Sequence, residues 1–121
     1  MPHLRLEYSG NVGQPVLYEE LFARLHEALA RTAGVPLDAC KSRAIPRDTF
    51  RVGQGRLGQA FVHLEVGLLA GRTPEQHREV AAACLEVLAD VYAPSLRALD
   101  LQITVEVRAM ERESYQKISS S

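Results

Sequence analysis

The sequence predicts an α+β fold: two strand–helix–strand (βαβ) units that form a four-stranded sheet with two helices packed on one face. Three observations predict it. Apolar and polar residues alternate in three well-marked stretches, the signature of half-buried strands. Two longer stretches carry apolar residues at helical spacing. The order strand, helix, strand is run through twice, first from His3 and again from Ala60. At 121 residues the chain is sized for one domain, and 46% hydrophobic residues supply a single core.

The elements follow in order. From His3 to Tyr8, Leu4, Leu6 and Tyr8 fall on one face and His3, Arg5 and Glu7 on the other. Ser9–Pro15 has the composition of a loop. Leu17, Leu21, Leu25, Ala28 and Leu29 then set a helix over Leu17–Ala33, with Gly34 at its C-cap and Pro36 barring continuation. Ala39–Ile45 is compatible with a strand that Pro46 ends or confines to a sheet edge. Gly53, Gly55 and Gly58 mark a turn. Ala60–Leu69 is a strong strand. Thr73, Pro74 and Gln76 then form a helix start, with Thr73 as N-cap, Pro74 at the first helical position and Gln76 completing a capping box. That helix is expected to reach Tyr92, and Pro94 to open a connection. The last strand alternates from Leu99 to Val107. From Met110 onward the chain is charged, then serine-rich. Pattern alone is compatible with a split ferredoxin-like arrangement or with two βαβ units side by side.

Charge and motif content narrow the function. A formal net charge of −1 argues against a nucleic-acid or anionic-membrane surface. No apolar run approaches a membrane span, and no basic-plus-apolar leader opens the chain. Cys40 and Cys84 read as free thiols, so a cytoplasmic location is expected. Gly53-Gln54-Gly55-Arg56-Leu57-Gly58 matches G-x-G-x-x-G, but a strand follows it where a pyrophosphate-binding helix is needed. The four histidines show no helical pair and no cysteine cluster, so no metal is expected. His63 and Glu65 share a strand face, where ordinary polar side chains are the simpler reading.

Three places remain as candidates. If Met1 is removed, Pro2 becomes an amino-terminal secondary amine. Burial or nearby cations would lower its pKa and make it a base near neutrality; a proline there is equally compatible with a plain chain end. Arg72 sits between Gly71 and the helix N-cap, where it can clamp a carboxylate or simply be solvated. Lys41 and Arg43 point to one face if their segment is a strand, offering two cations to a polyacid or only a solvated edge.

Pro2-His3 opening a strand, Pro36-Leu37, Ser42-Arg43, Asp48-Thr49-Phe50, Ala60-Phe61-Val62-His63 and Ala70-Gly71-Arg72 occur in one order. In this the chain resembles the 5-carboxymethyl-2-hydroxymuconate isomerases of the tautomerase superfamily, over roughly Pro2 to Arg108. The resemblance implies a tautomerase-like fold, with two βαβ units forming a four-stranded mixed sheet. It places a single tautomerase-like domain over residues 1–109, and the charged, then serine-rich composition leaves 110–121 as a partly disordered C-terminal extension. It further implies a homotrimer without cofactor or metal. Such an enzyme would shift a proton in a 2-hydroxymuconate-type dienol polycarboxylate during aromatic catabolism by the homoprotocatechuate route. Carried over, Pro2 is the catalytic base and Arg72 a substrate-carboxylate binder. Lys41 stands where better-known members have arginine, and Arg43 matches a second arginine. Lys41 keeps the charge but loses the bidentate fork. Ile45-Pro46 and the tail Tyr115-Gln116-Lys117 depart from the pattern. The alternatives are a tautomerase of another enol acid, such as phenylpyruvate, and a non-catalytic α+β metabolite-binding or assembly module.

Overall fold

A computed structural model describes residues 1–120. Four strands, β1 (His3–Ser9), β2 (Lys41–Arg47), β3 (Gln59–Leu69) and β4 (Asp100–Met110), combine with helices α1 (Tyr18–Ala33), α2 (Pro74–Val91) and α3 (Ala93–Ala98). Short 3-10 turns occupy Leu37–Ala39 and Arg112–Ser114. The sheet order is β2-β1-β3-β4. β1 runs parallel to β2 and β3 parallel to β4, while β1 and β3 are antiparallel, with Leu6 opposite Leu64. Each parallel pair with its crossover helix is one βαβ unit. The two units therefore lie side by side and not interleaved, which resolves the choice that the sequence pattern leaves open.

One face of the sheet builds the core. Leu4, Leu6, Leu64 and Val66 meet Leu21, Leu25 and Leu29 of α1 and Val80, Cys84 and Leu88 of α2, all at most 1% exposed. Each such leucine contributes about 1.5–3 kcal/mol of burial. The helix ends follow their predicted chemistry. Gly34 terminates α1 at φ +68°, a left-handed conformation that suits a residue without Cβ. Thr73 Oγ1 accepts from the Gln76 amide at 3.2 Å, and Gln76 Oε1 accepts from the Thr73 amide at 2.9 Å, closing the capping box.

Several boundaries differ from expectation, each for a local reason. β2 begins at Lys41 because Leu37–Ala39 winds into a turn first, and it runs through Pro46. As an edge strand it pairs only with β1, so the missing proline N–H costs no ladder bond on its free side. Pro94 lies in the first turn of α3, where a proline is tolerated, and does not open a bare connection. β4 continues to Met110 because its partner β3 continues to Leu69.

The sheet face turned away from the helices is charged. His3, Arg5, Glu7, Lys41, Arg43, His63, Glu65, Glu106 and Arg108 alternate onto it, with Arg47 pairing to Glu7 at 2.8 Å and Arg108 to Glu106 at 3.0 Å. Phe61, one of the apolar residues on this face with Ile45, Leu69 and Met110, stands edge-on to Phe50 with ring centroids 6.1 Å apart. Both cysteines are free, and burial pushes the Cys84 thiol up to about 11, outside the reactive range. Among the described residues, no helix is long and apolar enough to cross a membrane.

Candidate active site

The start of β1 is anchored from its neighbour: the Lys41 amide donates to the Pro2 carbonyl at 3.0 Å, and Pro2 is buried. Against Pro2 lies a pocket of about 180 Å³. Val35 after α1 and Leu68 and Leu69 at the end of β3 give it apolar walls. Two guanidinium groups, Arg72 and Arg112, reach it from the turn before α2 and from the segment after β4. A wider groove of about 660 Å³ crosses the outer faces of α1 and α2, but Arg24, Arg31, Glu27, Glu86 and Asp90 give it mixed charge, and Arg24 and Asp90 neutralise each other at 2.8 Å.

Electrostatics at the Pro2 end disfavour an ammonium. The Met1 amine donates to the Ala39 carbonyl, and Lys41 Nζ donates to the same oxygen at 2.9 Å. The amine is held below its ordinary value of 8.0 by burial first, then by the Lys41 charge and hydrogen bonding beside it.

Arg72 is fixed by backbone. Its Nη2 donates to the Ala33 carbonyl at 2.9 Å and its Nη1 to the Leu69 carbonyl at 3.3 Å. Ala33 is the last residue of α1, so the guanidinium sits at the negative end of that helix dipole. The side chain thus turns back toward the carbonyl end of α1, and two of its donors are already engaged.

Lys41 and Arg43 do share one face of β2, yet neither lines the Pro2 pocket. Lys41 borders an adjacent, open depression with Pro36, Tyr115 and Lys117. Arg43 Nη2 donates to His3 Nδ1 at 2.9 Å, and His3 Nε2 lies 2.9 Å from the Tyr115 hydroxyl. Burial, then Arg43 and Lys41, hold the His3 pKa below its ordinary 6.5. Of the four residues singled out from sequence, the fold brings Pro2 and Arg72 into one pocket and leaves Lys41 and Arg43 beside it. Sequence reasoning missed His3, Arg112 and Tyr115. The only available signal was that β4 points its continuation back toward the start of β1.

The other motifs resolve simply. His63 Nδ1 is hydrogen-bonded to Thr104 Oγ1 at 2.7 Å, and among the described residues no three His, Cys, Asp or Glu side chains gather as a metal site. Gly53, Gly55 and Gly58, with φ of 52°, 76° and 86°, shape the loop that enters β3.

A small apolar pocket with an amine environment at one end and guanidinium groups on its wall suits a small organic anion that exchanges a proton with a base. The family model for 5-carboxymethyl-2-hydroxymuconate isomerase matches residues 2–120. A 5-carboxymethyl-2-hydroxymuconate Delta-isomerase of Escherichia coli is 27% identical over 110 residues, 91% of this chain and 87% of that protein. The crystal structure of a 5-carboxymethyl-2-hydroxymuconate isomerase from Deinococcus radiodurans R1 superposes with a TM-score of 0.87 at 29% identity, covering 98% of this chain and 90% of that one. A fused 4-OT, described as a wild-type symmetric trimer, shares the fold with a TM-score of 0.71 at 19% identity, covering 98% of this chain and 92% of that one.

Proposed function

The chain belongs to the 5-carboxymethyl-2-hydroxymuconate isomerase family, and from that premise we propose that it is a cofactor-independent isomerase using an amino-terminal Pro2 as its base. The substrate is a 2-hydroxymuconate-type dienol acid. With Met1 removed, the Pro2 nitrogen takes the 2-hydroxy proton. The O–H electron pair becomes the carbonyl π bond, the double bonds shift along the chain, and the prolinium returns the proton to carbon. The product is the conjugated oxo isomer, with no net change in atoms or electrons. General acid–base catalysis of this kind contributes about 10²–10⁴-fold.

Arg72 holds a substrate carboxylate and steadies developing dienolate charge. Lys41 and Arg43 act from outside the pocket: Lys41 by adding to burial in lowering the pKa of the terminal amine, Arg43 by fixing His3. The observation that carries the reading is the pocket shared by Pro2 and Arg72, in surroundings that depress the pKa of an amine. The family resemblance extends it to a cytoplasmic step of aromatic catabolism. The fused 4-OT trimer supports a homotrimer, which sedimentation equilibrium tests.

A second substrate reading has one observation in its favour. With Lys41 and Arg43 outside the pocket, its walls are mostly apolar, which suits a less highly charged enol acid such as phenylpyruvate. Family membership does not support the non-catalytic module. The deciding experiment is an intact-mass measurement on active protein, followed by ultraviolet assays on a panel of enol acids. Active protein that retains Met1 sinks the Pro2 reading.

A further inference from the structure

We propose that Arg112, from the segment after β4, is a substrate-carboxylate residue of the Pro2 pocket and sets its preference for acids. The inference rests on the reading of that pocket as the active site. Three observations carry it. Arg112 lines the pocket alongside Pro2 and Arg72. Its Nε donates to the Ala70 carbonyl at 2.7 Å, which fixes the guanidinium plane by one edge. Among the described residues neither terminal nitrogen has a hydrogen bond and no acidic side chain pairs with the group.

This is the reverse of Arg72, whose two terminal nitrogens both donate to carbonyls. Of the two cations on the pocket wall, Arg112 therefore keeps the open fork that binds a carboxylate through two parallel hydrogen bonds. Gly71, whose φ of +130° side-chain-bearing residues rarely adopt, runs beside it: a Cβ there would stand in ordinary van der Waals contact with Arg112 Nη2, at 3.6 Å. The ligand class is a small unsaturated carboxylic acid whose reacting end lies at Pro2.

The test uses mass-verified protein lacking Met1, in wild-type, Arg112→Lys and Arg112→Ala forms. The probes are muconate, a diacid that lacks the enol, and its diamide. Calorimetric titration needs no turnover. Arg112→Ala should weaken muconate binding about 10- to 100-fold, with Arg112→Lys recovering part of the loss and the diamide affected less than about twofold. The thermal midpoint should fall only slightly in Arg112→Ala, which loses an exposed bond to Ala70, with every variant fully folded at the assay temperature. Muconate affinity unchanged in Arg112→Ala, an equal penalty for the diamide, or no muconate binding by wild type would each overturn the proposal. Pro2→Ala, assayed for turnover in parallel, separates the two ideas. Full turnover with Pro2→Ala removes the base but leaves a carboxylate site at Arg112 standing. Lost turnover with unaltered muconate binding in Arg112→Ala does the opposite.

Discussion

The Arg43 guanidinium donates to Nδ1 of His3, and this contact decides which ring nitrogen carries the proton. Because arginine only donates, Nδ1 must accept, so the hydrogen sits on Nε2 and is donated to the Tyr115 hydroxyl oxygen. A charged imidazolium would have no lone pair for Arg43. The strand start next to Pro2 is therefore built around a neutral histidine.

That neutrality gives stability a pH dependence. Folding lowers the pKa of His3, by burial and by Arg43, and of His26, by burial. Between the folded values and the ordinary 6.5, the unfolded chain binds protons that the folded chain does not. The contribution of the two histidines should be full above about pH 6.5 and decline as pH falls through it, below the separate window that the lowered terminal amine opens from 8.0. Urea midpoints at about pH 7.5 and about pH 5.5 check this, and the double variant His3→Gln/His26→Gln should flatten the slope. A midpoint that rises on acidification contradicts it. Glu7, held low by Arg47, acts in a separate window below the ordinary 4.5.

Pro2→Ala in protein lacking Met1 should lower kcat/KM by about 10²-fold, short of the full range for acid–base catalysis, because a primary amine can still take the proton. Steady-state kinetics on mass-verified protein measures it; activity equal to wild type would remove the proline from the mechanism.

Arg72→Ala loses the bonds to the Ala33 and Leu69 carbonyls and should cost about 1–3 kcal/mol in chemical denaturation. The charge that lowers the terminal amine comes first from Lys41, so Lys41→Met should raise the amine pKa and move the acid limb of the pH–rate profile upward. A limb that stays put in Lys41→Met would show that the two groups are electrostatically independent.

Thr73→Ala removes the hydroxyl that accepts from the Gln76 amide, and should destabilise by about 1 kcal/mol. Since Thr73 follows Arg72 directly, the same variant should raise KM more than it lowers kcat.

Leu64→Ala empties a site on β3 that is fully buried between the two helices and opposite Leu6. It should cost about 2–5 kcal/mol, read from urea unfolding. A cost below 1 kcal/mol would mean that the core collapses around the gap.

Much of this fold is legible in sequence because its strands face water on one side. Leu4, Leu6, Val62, Leu64 and Val66 alternate with charged or polar neighbours, so period and face are both written out. The α2 start is legible because Thr73, Pro74 and Gln76 act within one turn. What is not legible depends on remote partners. The composition of Ala39–Arg47 leaves β2 ambiguous until pairing with β1 extends it through Pro46. The site divides the same way. Pro2 and Arg72 stand out by local position, whereas Arg112 and Tyr115 look like tail residues until Ala70 and His3 hold them. No periodicity encodes contacts across such separations.

The hydrogen bond between His3 and Tyr115 brings the two ends of the polypeptide together, and the loop around Gly53–Gly58 lies exposed on a different part of the molecule. A circular permutant that joins the ends by a short linker and reopens the chain in that loop would keep the strand order while converting Pro2 into an interior imide with no basic nitrogen. Such a molecule would uncouple architecture from chemistry, an intact scaffold from which the proposed base has been spliced out without altering a side chain.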